Sequence, residues 1–593
     1  MVVSQKLPGS WESKEKWYGT EYTYEKIPAD FIAEIESAAA SSTKNRIPEL
    51  HLPHENQFIP KKLEVEKKDV KEPATEPRLI RNDDTARIWF KKDDTFWVPK
   101  ATVFVYLRNA LPGATAENYL KARLYTELVQ DALEEYSYDA ELAGLAYSIG
   151  SHSSGTEIAV SGYNDKLPVL LEKVLVTMRD LEVKPSRFAI IKERYARSLS
   201  NWDFQQPYNQ LGDFTKWLTS EKGYINDQIR DELEHLEAID IEQFFPQLLG
   251  QMHIETFVHG NLYKENALKL GDLIESILKP RILPRTQWPI SRSLVFPSGV
   301  NYVYHKTTKD PKNINHAIEY LLLIGEKSDR PLRAKVLLLD QMTHEPAFDQ
   351  LRTKEQLGYI IFSGARTSSN NIGYRFIIQS EKPAEYLEER IDSFLTTYKK
   401  TMVEMSDAEF EGHKRSLITK RLEKLKNLDQ ETSRLWAHIE SEVYDFELSR
   451  LYHHNFVLIL LTFAAYHDAS SIRKLTKADM IELYDRYILP SSPSRSKLAI
   501  HLNAQTPVKA ANSGSTKLAV SAIVDKGAQA LGITSRFVED LPEAVSPPAR
   551  PEGNGTIPIT IEDVRSFKSQ MTVSQGPQPV KVISEFEELD AKL

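Results

Sequence analysis

Apolar side chains along this sequence fall into two alternating rhythms, and the alternation itself recurs. Over residues 118–135 they return every three or four positions, the period of a helix buried along one face. Next come Glu141-Leu-Ala-Gly-Leu-Ala-Tyr-Ser-Ile-Gly150, a polar turn at 151–155 and a strand pattern at 157–162. The pair Asp165-Lys166 then opens an amphipathic helix over 169–181. The same order returns later. A helical pattern at 331–352 precedes Glu355-Gln-Leu-Gly-Tyr-Ile-Ile-Phe-Ser-Gly364, a polar turn at 365–371 and a strand at 374–378. The pair Glu381-Lys382 and a helix at 386–398 complete the second copy. Matching the two acid-lysine pairs gives an offset of 216 (166 to 382), and matching Phe188-x-x-x-Lys192 to Phe410-x-x-x-Lys414 gives 222 (188 to 410). So small a drift points to internal duplication. Helices that follow antiparallel hairpins, with few βαβ signals, predict an α+β fold: two homologous αβ-layer domains, each an antiparallel or mixed sheet with helices packed on it.

The breaks between these patterns set the expected organisation. Residues 60–78 alternate Lys and Glu, include three prolines and sustain no apolar period, so they read as a connection between folded units. Residues 505–516 form a softer break, and 542–558, rich in Pro, Gly and Glu, read as extended chain. The expected division is therefore 1–45, an N-terminal segment; 46–78, a linker; 79–300 and 301–540, the two repeats; and 541–593, an extended tail.

Composition narrows the chemistry. A net charge of −9 has the wrong sign for a protein built to neutralise phosphate backbones, so no nucleic-acid partner is expected. The longest apolar run, 456–466, is half of what a bilayer span needs and reads as a buried helix, so no membrane partner is expected either. The absence of Cys removes disulfides, thiolate nucleophiles and Cys-ligated metals, and any metal must be held by His and carboxylates. A cytoplasmic location fits this composition. The final Ala591-Lys592-Leu593 approximates a peroxisomal signal.

None of the fifteen His belongs to a His-Glu-x-x-His or His-x-x-Glu-His pattern. His316-Ala-Ile-Glu319 comes nearest, but Tyr320 stands where the second His is needed, and His316 reads as a residue at a sheet end. His453-His454 are adjacent, point to different helix faces and read as ordinary surface or packing residues. Neither a Gly-x-Ser-x-Gly elbow nor a phosphate loop with its lysine is present. Two constellations remain. Arg352 and Tyr359, separated by a helix end and a Gly-containing turn, are donors that could converge on a developing oxyanion. Lys414, Arg415, Lys420, Arg421, Lys424 and Lys426 read as one basic helical stretch that could meet a polyanion.

Phe348-Asp-Gln-Leu-Arg-Thr-Lys-Glu-Gln-Leu-Gly-Tyr-Ile-Ile-Phe-Ser-Gly364 closely resembles the insulin-degrading enzyme (insulysin) family of inverted-zincin endopeptidases. The likeness extends through Arg375-Phe-Ile-Ile-Gln-Ser-Glu-Lys-Pro383, and it is found earlier at Lys16-Trp-Tyr-Gly-Thr20, Asn56-Gln-Phe-Ile-Pro60 and Ser161-Gly-Tyr-Asn-Asp-Lys166. It implies four homologous domains paired into two bowls around a chamber, with zinc held by His-x-x-Glu-His in the N-terminal half. This chain matches the end of the second domain, the third and the fourth. The resemblance implies that Tyr359 hydrogen-bonds the tetrahedral oxyanion, Arg352 positions substrate backbone, and Phe348 with Gly358 lines the substrate pocket. It also aligns Glu423, Lys424, Leu425, Lys426, Asn427, Leu428 and Asp429 with a site for ATP or another polyanion as regulator, from whose basic pattern Asn427 and Asp429 depart. No metal ligand is assigned in this chain. The implied partners are an N-terminal half carrying His-x-x-Glu-His, peptide substrates and a second copy as a homodimer. A noncatalytic peptide- or polyanion-binding scaffold is the alternative.

Overall fold

The computed structural model describes residues 3–4, 6, 9, 11–40, 54–67, 73–446, 467–505, 557–576 and 578–585. The apolar run at 456–466, His453-His454, residues 506–556 and Ala591-Lys592-Leu593 lie outside the described residues. The chain divides into two compact units, Met1–Gln57 and Phe58–Leu593. In the first, Ser13–Lys14 pairs antiparallel with Glu21–Tyr22, and a helix over Ala29–Ala40 buries none of its own residues. No helix among the described residues is long and apolar enough to cross a membrane.

The second unit holds the repeat. Its first copy comprises strands β1 (Arg78–Asn82), β2 (Ala86–Lys92) and β3 (Lys100–Arg108), helix α1 (Ala116–Leu142), the hairpin β4 (Ala146–His152) and β5 (Gly155–Tyr163), helices α2 (Leu167–Arg179), α3 (Pro185–Asp203) and α4 (Pro207–Thr219), and β6 (Gln251–Gly260). The second comprises β7 (Asn301–Thr307), β8 (His316–Glu326), α5 (Arg330–Phe348), the hairpin β9 (Ile360–Thr367) and β10 (Asn371–Ser380), helices α6 (Ala384–Glu404), α7 (Asp407–Arg421) and α8 (Leu428–Glu440), and β11 (Ser496–Asn503). The sheets run β4-β5-β3-β6-β2-β1 and β9-β10-β8-β11-β7, the second ending on a short strand β12 (Ile559–Thr560). Five strands correspond in order and direction: three antiparallel pairings, then one parallel, β6 with β2 and β11 with β7. The edge strands differ, since β1 is antiparallel to its neighbour and β12 is parallel.

That last strand corrects one expectation. The stretch read as extended tail returns to the fold: Ile559–Thr560 joins the sheet edge, Val564–Ser569 is helical, and Thr572–Val573 pairs with Leu294–Val295. Its apolar anchors are Ile561 and Phe567, buried with Phe296 and Tyr302. Two well-placed side chains suffice to hold a short segment whose mean polarity suggests open chain.

Alternation along the strands explains how each sheet is covered on both faces. Ala101, Val103, Val105 and Leu107 of β3 pack under α1 and α2, while Tyr106 joins a separate cluster on the opposite face. Ile318, Tyr320, Leu322 and Ile324 of β8 likewise meet α5 and α6. The opposite faces are covered by exchange. Helix α4 of the first repeat lays Leu211, Phe214 and Leu218 on Tyr304, Leu498 and Ile500 of the second sheet. Helix α8 of the second repeat lays Leu435, Trp436 and Ile439 on Trp89, Tyr106 and Phe257 of the first. Each sheet thus borrows its second cover from the other repeat.

Candidate functional site

The segment joining α5 to β9 has little freedom. Pro346 lies inside the last turn of α5 and cannot donate a backbone hydrogen bond, and after Phe348 the helix widens into a π-type turn over Asp349–Lys354. Leu351 and Leu357 are buried and anchor the two ends of the loop, with Leu357 N donating to Leu351 O at 3.1 Å. Between them Gln356 adopts a left-handed φ of 52°, which reverses the chain. The Glu355 carboxylate accepts both Arg390 Nε (2.6 Å) and Nη2 (2.8 Å) from α6, and it also accepts Gln350 Nε2 at 2.8 Å. Gly358 then runs hard against β10, where an added Cβ would stand 2.1 Å from Gln379 O. Only glycine permits that approach.

This bracing brings three of the anticipated residues together. The Arg352 guanidinium carbon lies 4.8 Å from the Phe348 ring centre and 4.5 Å from that of Tyr359, so the cation is held between two aromatic faces. Tyr359 is 79% exposed. Among the described residues, neither Arg352 nor Tyr359 makes an ion pair or a side-chain hydrogen bond, so both present their N–H and O–H groups outward. A planar cation beside a phenol suits a developing negative charge on a bound molecule. This donor set does not fit a divalent metal, for it offers neither a carboxylate nor an imidazole lone pair. Gly358 contributes through its backbone, by letting Tyr359 emerge at the strand end.

The basic stretch is not one helix. Helix α7 ends at Arg421, and α8 begins after Asn427, whose Oδ1 accepts Gln430 N at 2.9 Å as an N-cap. Asn427 and Asp429 therefore have a capping and first-turn role, which accounts for their departure from a basic pattern. Lys414 is turned inward, donating to Glu411 (2.8 Å) and to Leu475 O (3.0 Å). Leu428 is buried, Leu425 is half-buried, and Glu423, Lys424 and Lys426 are exposed, with a 3.4 Å ion pair between Glu423 and Lys426. His316 opens β8 at the sheet end. Among the described residues, two sets of side chains that could hold a metal were not legible in the sequence: His305, Glu385 and His501, and His152, Glu157 and Glu440. Each set joins residues far apart in the chain, and only strand register could have revealed them.

The family model described as the middle or third domain of peptidase M16 matches residues 1–232, and that of the PQQ synthase PqqF-like C-terminal lobe domain 4 matches 338–436. The insulin-degrading enzyme of Homo sapiens is 35% identical over 510 residues, 85% of this chain and 47% of that protein. The chain belongs to the insulin-degrading enzyme family of M16 peptidases. Within this family, the A-factor-processing enzyme of Saccharomyces cerevisiae is 32% identical over 574 residues, covering 96% of this chain and 50% of that protein. The crystal structure of pitrilysin shares the fold, with a TM-score of 0.74 at 19% identity over 96% of this chain and 53% of that one. The chain thus spans about half the length of the curated relatives it matches.

Proposed function

We propose that this chain acts as the C-terminal half of an insulysin-type zinc metalloendopeptidase that cleaves peptides in an enclosed chamber. The observation that carries the reading is the Phe348–Arg352–Tyr359 stack, an outward-facing cation and phenol held without partners among the described residues. In this reading zinc and the base that activates water reside in an N-terminal half carrying His-x-x-Glu-His, to which the residues of this chain add nothing as ligands. Tyr359 donates its hydroxyl to the oxygen that gains charge as the peptide carbonyl is attacked. Arg352 aligns the substrate backbone, and Phe348 walls the pocket beside the scissile bond. Removing one such donor typically lowers kcat by roughly a hundred- to a thousandfold. A polyanion such as ATP would act at 423–429 through Lys424 and Lys426. Pairing with a second copy and a cytoplasmic or peroxisomal location complete the proposal.

The test mixes this chain with a family N-terminal half and follows a fluorogenic peptide. Wild type should restore turnover, Tyr359→Phe should lower kcat by roughly a hundredfold with KM little changed, and the chain alone should be inactive. Restoration by Tyr359→Phe at the wild-type rate would remove the oxyanion role. Failure of wild type to restore activity, with peptide still bound, would favour the noncatalytic scaffold.

A further inference from the structure

The second sheet gathers an arrangement that neither the repeat nor the peptidase reading uses. His305 of β7 and His501 of β11 are direct partners in the parallel ladder, so their imidazoles leave the sheet on the same face, with ring centres 4.9 Å apart. Glu385 in the first turn of α6 and Glu388 three residues on share a helix face above them. His501 Nε2 lies 2.6 Å from Glu388 Oε2, and Lys497 forms an ion pair with the other oxygen of the same carboxylate.

With Lys497 on the other oxygen of this carboxylate, His501 meets it through Nε2, and Nδ1 is the ring nitrogen left for a ligand. That Nδ1 is buried in a residue 2% exposed and has no hydrogen-bond partner. It points at Glu385 Oε1, 3.4 Å away, while His305 Nδ1 stands 3.9 Å from the same oxygen. Such a gap between an imidazole nitrogen and a carboxylate oxygen is bridged either by a proton on Nδ1 or by a cation bound to both, and the second imidazole at the same oxygen fits the cation. The three ligand atoms fall within 4.8 Å of one another. Tetrahedral zinc, with bonds of about 2.0–2.2 Å, needs these atoms roughly 3.4 Å apart. Small rotations of the exposed His305 and Glu385 side chains supply the difference.

We infer that His305, Glu385 and His501 form a binding site for one divalent transition-metal ion, with zinc the best fitted. Glu388 is a positioning residue that fixes the His501 tautomer, the carboxylate–imidazole–metal arrangement in which the outer partner typically contributes ten- to a hundredfold in affinity. Two imidazoles and a carboxylate favour zinc or a neighbouring transition metal over magnesium or calcium. His305 and Glu385 are exposed, so the set opens to solvent on their side. The second set is less suited: it has a single imidazole, and Glu157 already accepts Trp436 Nε1 at 2.9 Å.

The experiment uses the tag-free full chain, stripped with a chelator and titrated with zinc chloride by calorimetry, and with cobalt(II) by visible absorption. One equivalent should bind, with ligand-field bands of tetrahedral intensity. His305→Gln and Glu385→Gln, both at exposed positions and so expected to keep the fold, should each lower affinity at least a hundredfold. Glu388→Gln should lower it about ten- to a hundredfold, and His152→Gln should leave it unchanged. Absence of stoichiometric binding, or binding unaltered by His305→Gln and Glu385→Gln, would overturn the site. The readout needs no peptidase activity, so its outcome is independent of the proposed function.

Discussion

Gly358 shows how a single side chain can be excluded by its neighbours. Its backbone is not in the left-handed region; the constraint is the Gln379 carbonyl, 2.1 Å from where a Cβ would sit. Gly358→Ala is expected to destabilise the fold by about 1–3 kcal/mol and to displace Tyr359, which urea unfolding with the complementation assay would register together. His253 on β6 makes a second residue-level prediction. It is fully buried against Trp288, 4.0 Å between ring centres, and burial, followed by the charges of Arg87 and Arg108, pushes its pKa down to about 3. The unfolded chain takes up this proton near pH 6.5 and the folded chain only near pH 3, so the folded state binds fewer protons between them. Stability should therefore fall as pH drops from 7 to 5, by up to about 1.4 kcal/mol per unit from this residue. His253→Phe, which keeps the ring, should lose that share of the slope in denaturant melts; an unchanged slope would refute the assignment.

At the level of elements, α8 ties the second repeat to the first sheet. Trp436 stacks on Phe104 with 4.8 Å between ring centres, and Glu431 meets Lys91 at 3.3 Å. Lys91 is fully buried, yet Glu431 and Asp94 outweigh the burial and keep its pKa above the usual lysine value. Trp436→Ala removes the largest apolar contact of the helix and should cost about 3–5 kcal/mol, measured as a lower denaturation midpoint. Helices α1, α2, α5 and α6 and the hairpins between them were legible in the sequence, because periods of 3.6 and 2 are local properties. The exchange of α4 and α8 was not. An amphipathic pattern says that a helix has an apolar face, but not which sheet receives it. The return of residues 559–573 is not legible for the same reason, since Ile561 and Phe567 acquire partners only across the fold.

The exchange has its consequence at the scale of the whole molecule. With each sheet capped by a helix of the other repeat, Phe58–Leu593 is one compact unit rather than two independent domains. Phe214→Ala lies in the first repeat but should accelerate hydrogen exchange in β7 and β11 of the second; Trp436→Ala should do the converse in β2 and β3. Exchange confined to the mutated repeat would show that the repeats open separately. The sequence by itself determined the α+β class, the duplication, the family and the pairing of Arg352 with Tyr359, because each is carried by residues close together or by a repeated local order. Tertiary structure alone decided the rest: the aromatic stack that orients Arg352, the breaking of the basic stretch at Asn427, and the meeting of His305, His501 and Glu385. These depend on strand register and helix docking, where distance along the chain no longer measures distance in space.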